Sequence, residues 1–153
     1  MPTLTEPTTA ASPRKIDQLL AHYEESHRDP RNERIHFVAI PLIMVSLVGL
    51  LFSLHPWVAY AFLLASLVYY ARLSVVWLVT MALGSVLMLF LVHAMGEHRL
   101  TICVALFVGA WIAQFVGHKL EGRKPSFFED LQYLWIGPIF VLSKLFLKLG
   151  IRW

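Results

Sequence analysis

Three histidines in this sequence lie within two short polar motifs, each next to a long apolar run. The first motif, H-R-D-P-R-N-E-R-I-H, begins at His27 and ends at His36. The second, Q-F-V-G-H-K-L-E, contains His118. Imidazole is the commonest protein ligand for transition metals. If the two motifs converge, they offer three nitrogen ligands to one ion.

The first motif carries a helix start. Asp29 followed by Pro30 is an N-cap and first-turn signature, so we predict a helix that begins at Pro30 and continues into the apolar run. On that helix Asn32 and His36 are four residues apart and share a face. His27 then lies in the preceding loop and folds back over this face.

The second motif lies at the end of an apolar run. Its spacing places Gln114, His118 and Glu121 on one face of a helix. Gly117 leaves room for another backbone or a ligand, and Gly122 is expected to end the helix. Because a polar side chain one turn inside a membrane is costly, we predict that Gln114 orients His118.

The segments that position these motifs are strongly apolar. Of the 153 residues, 58% are hydrophobic and 15% are charged, whereas a soluble domain is about 45–50% apolar. The apolar runs approach the roughly 20 residues that a membrane-spanning helix needs. We therefore predict an all-α, polytopic membrane helix bundle with about four transmembrane helices, at residues 37–54, 57–71, 75–95 and 100–117.

The two ends of the chain differ from these spans. Residues 1–13 are polar and rich in Pro and Thr, which predicts a flexible tail before a single membrane domain over 14–153. A fifth apolar stretch contains Gly137-Pro138 and two lysines. A lysine at the bilayer centre costs at least ~2.5 kcal/mol, so we interpret 127–150 as a kinked interfacial or re-entrant helix.

The basic residues predict the orientation. With four crossings, Arg99 is alone on the far side, and positive charge favours the cytoplasmic side. Both termini are therefore expected to be cytoplasmic, in a bacterial inner membrane or, in a eukaryote, the endoplasmic reticulum. The basic residues on the starting side are Arg14, Lys15, Arg28, Arg31, Arg34, Arg72, Lys119, Arg123 and Lys124.

The same topology separates the histidines. His55, His93 and His98 fall near the opposite face, roughly 30 Å away, and are interpreted as loop or helix-end residues. A nitrogen-rich site with open positions suits Fe(II) or Zn, and an added carboxylate from Glu121 points to non-haem iron. Spacing alone equally allows histidines that only hydrogen-bond water or lipid headgroups. The chain has no H-x-x-H-H box, which argues against a di-iron desaturase, and His93 is the lone histidine within a span, which argues against haem.

Around the two motifs the sequence resembles the membrane-bound 2-hydroxy fatty acid dioxygenases of fatty-acid α-oxidation. The resemblance covers nearly the whole chain after the tail, including the order of the apolar segments. The residues that carry it are Tyr23, His27, Pro30, Asn32, Ile35, His36, Pro41, Trp111, Gln114, Gly117, His118, Glu121, Pro125, Pro138 and Gly150.

This resemblance implies an enzyme that uses Fe(II) and O2 to remove one carbon from a 2-hydroxy fatty acid, and the basic residues place this chemistry at the cytoplasmic membrane face. It implies that His27, His36 and His118 are the metal ligands. Glu121 corresponds to a further family residue that could add a carboxylate. The fungal member has a carboxylate in its final helix where this chain has Lys144.

A mechanism on these lines assigns further roles. Asn32 and Gln114 are expected to orient ligands, and the substrate carboxylate is expected to meet Arg34, Arg72 or Lys124. The sequence shows no 2-oxoglutarate motif, so neither that cosubstrate nor haem is expected. Expected partners are a 2-hydroxy fatty acid or related lipid and membrane lipids, not nucleic acid.

One alternative belongs to another functional class. The chain would then be a non-enzymatic lipid-binding or scaffold membrane protein with a structural Zn site. A closed four-ligand shell and no consumption of O2 would distinguish it. The sequence leaves the oligomeric state open.

Overall fold

The described residues fold into helices joined by short turns. The structure is a computed structural model that describes residues 14–25, 27–122 and 133–153. The predicted tail over 1–13 lies outside this part of the chain. The helices are α1 (Lys15–Glu24), α2 (Pro30–Leu54), α3 (Pro56–Ala71), α4 (Val75–Ala94), α5 (Arg99–Leu120) and α6 (Ile136–Leu149), with one turn of 3₁₀ helix at Gly96–His98.

The predicted all-α membrane bundle is confirmed. Three helical segments are long and apolar enough to cross a bilayer, namely Pro30–Leu54, Val75–Ala94 and Gly96–Leu120. The remaining predicted span corresponds to α3, a shorter apolar helix of 16 residues. At 1.5 Å per residue it extends for ~24 Å, somewhat less than the ~30 Å apolar core of a typical bilayer.

The most extensive helix contact joins α2 and α5, which run antiparallel. A glycine near each end of the contact lets the two backbones approach closely. A Cβ added to Gly49 of α2 would lie 2.2 Å from Cys103 Sγ, and one added to Gly117 of α5 would lie 2.3 Å from Asn32 Oδ1. Small residues are the usual means of close helix packing in membranes. The start of α2 and the end of α5 therefore lie side by side.

Helices α1 and α6 cover this end of the bundle. Ile16 and Tyr23 of α1 share a buried core with Ile139 and Phe140 of α6. The sequence did not lead us to predict α1, although Ile16, Leu19, Leu20 and Tyr23 recur at helical spacing and mark an apolar face. This missed helix supplies one wall of the site described below.

Helix α6 is 14 residues long, or ~21 Å. It is too short to cross a bilayer, in line with the interpretation of this region as non-spanning. Pro138 stands in its first turn, where a missing N–H costs no helical hydrogen bond. Gly137-Pro138 therefore lies at the start of α6 rather than midway along a helix. Residues 123–132 lie outside the described part of the chain.

Two substitutions test the α2–α5 contact, one that adds a methyl group at Gly49 and one that removes the thiol of Cys103. Gly49→Ala alone should lower the free energy of unfolding by ~1–3 kcal/mol, because the new methyl group overlaps Cys103 Sγ. Adding Cys103→Ala should recover most of this loss, since Cys103 Cβ would lie 3.5 Å from the new Cβ, an ordinary contact. The measurement is a double-mutant cycle of unfolding in detergent micelles, and additive effects would contradict the close approach.

Candidate metal centre

Three imidazoles meet where α2 begins and α5 ends. His27, His36 and His118 each offer a ligand atom, and these atoms all lie within 4.8 Å of one another. All three side chains are buried, and His36 is fully so. The ring centroids of His27 and His36 are 4.3 Å apart, and the ring of His118 lies 5.0 Å from His36 and 5.5 Å from His27. The two motifs therefore converge at one point.

Backbone carbonyls fix the orientation of two of these rings. His27 Nδ1 donates to the carbonyl of Tyr23 over 2.8 Å, and His36 Nδ1 donates to the carbonyl of Asn32 over 3.0 Å. A carbonyl can only accept, so the proton of each neutral ring is on Nδ1 and the lone pair is on Nε2. In this tautomer Nε2 can bind a metal, and the hydrogen bond from Nδ1 to a carbonyl fixes the ring as it does in many metal sites.

The helix start between His27 and His36 follows the predicted chemistry. The Asp29 side chain accepts from the backbone N–H of Arg31 over 2.8 Å, and Pro30 occupies the first turn. Hydrogen bonds from the Arg31 side chain and backbone lower the pKa of Asp29 to about 2. The N-cap prediction is confirmed, and this turn brings His27 back against the first turns of α2.

Glu121 binds the loop rather than standing with the three rings. Its Oε1 accepts from the backbone N–H of Arg28 over 2.9 Å, and its Oε2 accepts from the N–H of Asp29 over 2.8 Å and from Asn32 Nδ2 over 3.1 Å. Burial alone raises the pKa of Glu121, but these hydrogen bonds outweigh it and hold that pKa below its usual range. The carboxylate of α5 thus fastens the segment that carries His27.

Gly117 makes this arrangement sterically feasible. The carboxamide of Asn32 occupies the space that a side chain at position 117 would fill, and His36 Cε1 lies 3.5 Å from the same point. The sequence predicted room for a backbone or a ligand at Gly117, and Asn32 is what fills it. Gly122, in the left-handed conformation at φ +75°, follows the end of α5 as expected.

Other side chains at the centre carried no role in the sequence-based prediction. The ring of Tyr23 stacks on His27 with centroids 4.2 Å apart and planes 9° apart, and Phe140 lies 4.9 Å from Tyr23. These aromatic rings close the α1 and α6 side of the centre. Tyr23 was noted only as part of the family resemblance, and the helical spacing of α1 was the signal that could have placed it.

The basic residues expected to meet a substrate carboxylate are distributed differently. Arg34 is exposed on an outer groove between α2 and α5, and Arg72 is exposed at the end of α3. Lys124 lies outside the described residues. A polar cleft beside His27 contains Arg28 and Lys144 instead, with its acidic residues Glu24, Glu25 and Glu33.

Lys144 holds this cleft together. Its ammonium group pairs with Glu24 and lies 3.9 Å from Glu33, so it joins α6 to both α1 and α2. It also stands over the Phe140 ring at 5.2 Å. Position 144 is therefore a cation within an acidic cleft.

The remaining histidines lie at helix ends or on the surface, as predicted. His22 is exposed beside Glu25. His55 caps α3 by accepting from the N–H of Trp57, His93 is in the last turn of α4, and His98 ends the 3₁₀ turn.

The three-histidine set fits a divalent transition metal. With Zn–N bonds of ~2.0–2.1 Å, two ligand nitrogens lie at most ~4.2 Å apart. The three ligand atoms lie within 4.8 Å of one another, so ring shifts of some tenths of an ångström bring them to this distance. The donors are nitrogens on buried rings, and hydrogen bonds to backbone carbonyls set the tautomers of His27 and His36. Three protein ligands leave coordination positions open, the pattern of catalytic rather than structural sites.

The comparisons with known proteins agree with the two motifs. A family model described as 2-hydroxy-palmitic acid dioxygenase Mpo1-like matches residues 14–149. The chain belongs to the Mpo1-like family. A relative of this family, the 2-hydroxy-palmitic acid dioxygenase MPO1 of Saccharomyces cerevisiae, is 30% identical over 138 residues, which cover 86% of this chain and 79% of the relative. No solved structure matches the chain.

In this Mpo1-like protein, Glu121→Gln tests whether the carboxylate fastens the loop or binds metal. The amide offers one acceptor oxygen in place of two, so the segment that carries His27 is bound less firmly. The affinity for Co(II) should therefore fall ~10–100-fold, as is typical when a residue that orients metal ligands is changed. The measurement is titration with Co(II), whose d–d absorption reports the ligand set.

The saturated spectrum decides between the two roles. It should match that of the unsubstituted protein, because the three rings still provide the ligands, and a changed spectrum would show that Glu121 coordinates directly. Glu97→Gln is the matched control, since Glu97 is exposed at the opposite end of the helices and should leave both affinity and spectrum unchanged.

Proposed function

We propose that this protein is an integral membrane dioxygenase that uses Fe(II) and O2 to remove one carbon from a 2-hydroxy fatty acid. The observation that carries the proposal is the buried triad of His27, His36 and His118, with two rings fixed by backbone carbonyls. The name of the yeast relative supplies the substrate class and the use of O2.

The electron balance of the reaction supports the absence of a cosubstrate. Cleavage of R–CH(OH)–COOH with O2 to R–COOH, CO2 and water breaks the C1–C2 bond and oxidises both carbons. The substrate loses four electrons in total, the number that O2 accepts when it is fully reduced. No further reductant such as 2-oxoglutarate is needed.

The choice of metal follows from that chemistry. Zn has no redox chemistry, whereas a bound Fe(II) would supply the electron transfer that activates O2. Neutral imidazoles are suitable ligands for iron. Because they leave the charge of a divalent ion uncompensated, the centre favours a substrate that brings a carboxylate.

The residues around the triad then have distinct tasks. Glu121 and Asn32 hold the His27 segment against α5, and Tyr23 fixes the His27 ring through its carbonyl and its stacked side chain. The carboxylate of the substrate lies on the side of the triad that faces the polar cleft, where Arg28 stands beside His27. Lys144 is already paired with Glu24, so we assign carboxylate binding to Arg28 rather than to Arg34 or Arg72.

The proposed membrane position follows from the charge pattern. The triad lies on the side that collects most of the lysines and arginines, so we assign this side and both termini to the cytoplasm. A bacterial inner membrane suits this arrangement, and a eukaryotic source would place the protein in the endoplasmic reticulum.

Metal content and product are the test. The purified protein should contain about one iron per chain and should convert 2-hydroxypalmitic acid to the fatty acid one carbon shorter while consuming O2. His36→Ala and His118→Ala should lose both iron and activity, because each removes a ligand. His22→Ala, on the same side but exposed, should retain both.

The outcomes separate this proposal from its alternative. Zinc in a closed shell, with no consumption of O2 in the presence of hydroxy acids, would identify a non-enzymatic membrane protein with a structural site. Full activity after removal of all metal would refute the role of the triad in catalysis.

A further inference from the structure

An apolar chamber of about 310 Å³ lies between α2, α3, α4 and α6, away from the polar cleft. Its wall is almost entirely hydrocarbon, and the described lining includes Met44, Leu63, Gly84, Met88 and Val141. The packing around it leaves this space open along α4 from Met81 to Leu91. An apolar space of this size can hold a hydrophobic molecule.

A small gap near the metal centre adjoins the chamber at α2. Ile40 and Met44 line the chamber and also a gap of about 20 Å³ whose other walls include Tyr23 and Gln114. Residues 36, 40 and 44 are four apart, so His36 and the two shared lining residues form one stripe along the helix. This stripe links the position of His36 on α2 with the lining of the chamber.

Gln114 marks the polar end of this route. Its side chain is 4% exposed, and its Oε1 is buried without a hydrogen-bond partner among the residues that the structure describes. Buried acceptors are normally paired, so this oxygen suits a ligand that brings a hydroxyl donor. Gln114 lines the gap and lies one helical turn before His118 on α5.

We propose that the gap and the chamber together bind the 2-hydroxyacyl chain, with the C2 hydroxyl donating to Gln114 and the tail running past Ile40 and Met44 toward Gly84. This inference rests on the proposed function for the identity of the substrate. It adds the path of the tail and the residue that limits its length.

Two estimates of capacity agree. The eleven residues from Met81 to Leu91 span ~15 Å along α4, and an extended chain advances ~1.2 Å per bond, so the chamber takes a tail of about 12 carbons. A cavity of ~150 Å³ holds benzene with its six carbons, and this chamber has about twice that volume. A long-chain acid therefore fits, with its first carbons in the gap.

Gly84 is the position at which the chamber can be filled. A Cβ built there meets nothing within 4 Å, and the residue faces the chamber from α4. Gly109 of α5 is the matched control, because its Cβ also meets nothing within 4 Å. It faces the outer groove with Arg34 and Val38, which shares no lining residue with the gap.

The experiment compares Gly84→Leu with Gly109→Leu on saturated 2-hydroxy acids of increasing length. Gly84→Leu should shift the preferred chain by about four carbons toward shorter acids, since its side chain occupies that much of the chamber. Co(II) binding at the triad should be unchanged, which shows that the variant is folded. A shift in Gly109→Leu alone would place the tail in the outer groove, and no shift in either variant would overturn the proposal.

A binding readout separates this inference from the proposed function. A 2-hydroxy acid with a photoactivatable group at its tail end should label α3 or α4 of the unsubstituted protein and lose that labelling in Gly84→Leu. Labelling without any turnover would support binding in the gap and the chamber, and would refute the proposed enzyme activity. Equal labelling by the same probe without its hydroxyl would show that the chamber holds membrane acyl chains, and would overturn the assignment of Gln114.

Discussion

The close approach of α2 and α5 is the constraint on which the candidate metal centre depends. His36 lies near the start of α2 and His118 near the end of α5, so their rings can meet only if the helices touch there. Gly49 and Gly117 remove side chains at the two ends of the contact. In lipid, helices associate through such packing rather than through burial of apolar surface from water. The close packing of the two helices is therefore required before the positions of the histidines along the chain can produce a site.

The polar groups at this contact are arranged to satisfy one another. Asn32 and His36 are fully buried, and a buried polar group is costly unless it is hydrogen-bonded. The carbonyl of Asn32 accepts from the His36 ring, while its side chain donates to Glu121. One asparagine thus links His36 on its own helix to the carboxylate of the other. Hydrogen bonds hold the rings of His27 and His36 in place, which would reduce the entropy lost on binding an ion.

Much of this arrangement could be predicted from particular residues. Asp29-Pro30 identified the start of α2, Gly122 identified the end of α5, and the two motifs singled out the three histidines that the structure brings together. Local chemistry decides each of these features, since a cap, a helix stop and a four-residue spacing depend only on neighbouring residues. The apolar runs likewise indicated the helices, although α3 is shorter than its neighbours.

The features that were missed depend on distances between helices. Spacing placed Glu121 on the same face as His118 but could not tell whether its oxygens would reach the metal or the backbone of Arg28 and Asp29. The same limit hid the stacking of Tyr23 on His27, because nothing in the sequence says that α1 folds back over the bundle. It also applies to Arg34 and Arg72, which share the charged side of the membrane but lie away from the triad.

The separation of the ligands along the chain has a consequence for biosynthesis. His27 and His36 leave the ribosome early, whereas His118 follows only after the intervening helices have been made. A nascent chain therefore cannot assemble the three-ring set until its last long helix has been inserted and has docked against the first. Binding of the proposed metal would then be a late event that follows completed assembly. A chain that misinserts an intermediate helix would carry His118 to the opposite leaflet, where the three-ring set stays incomplete.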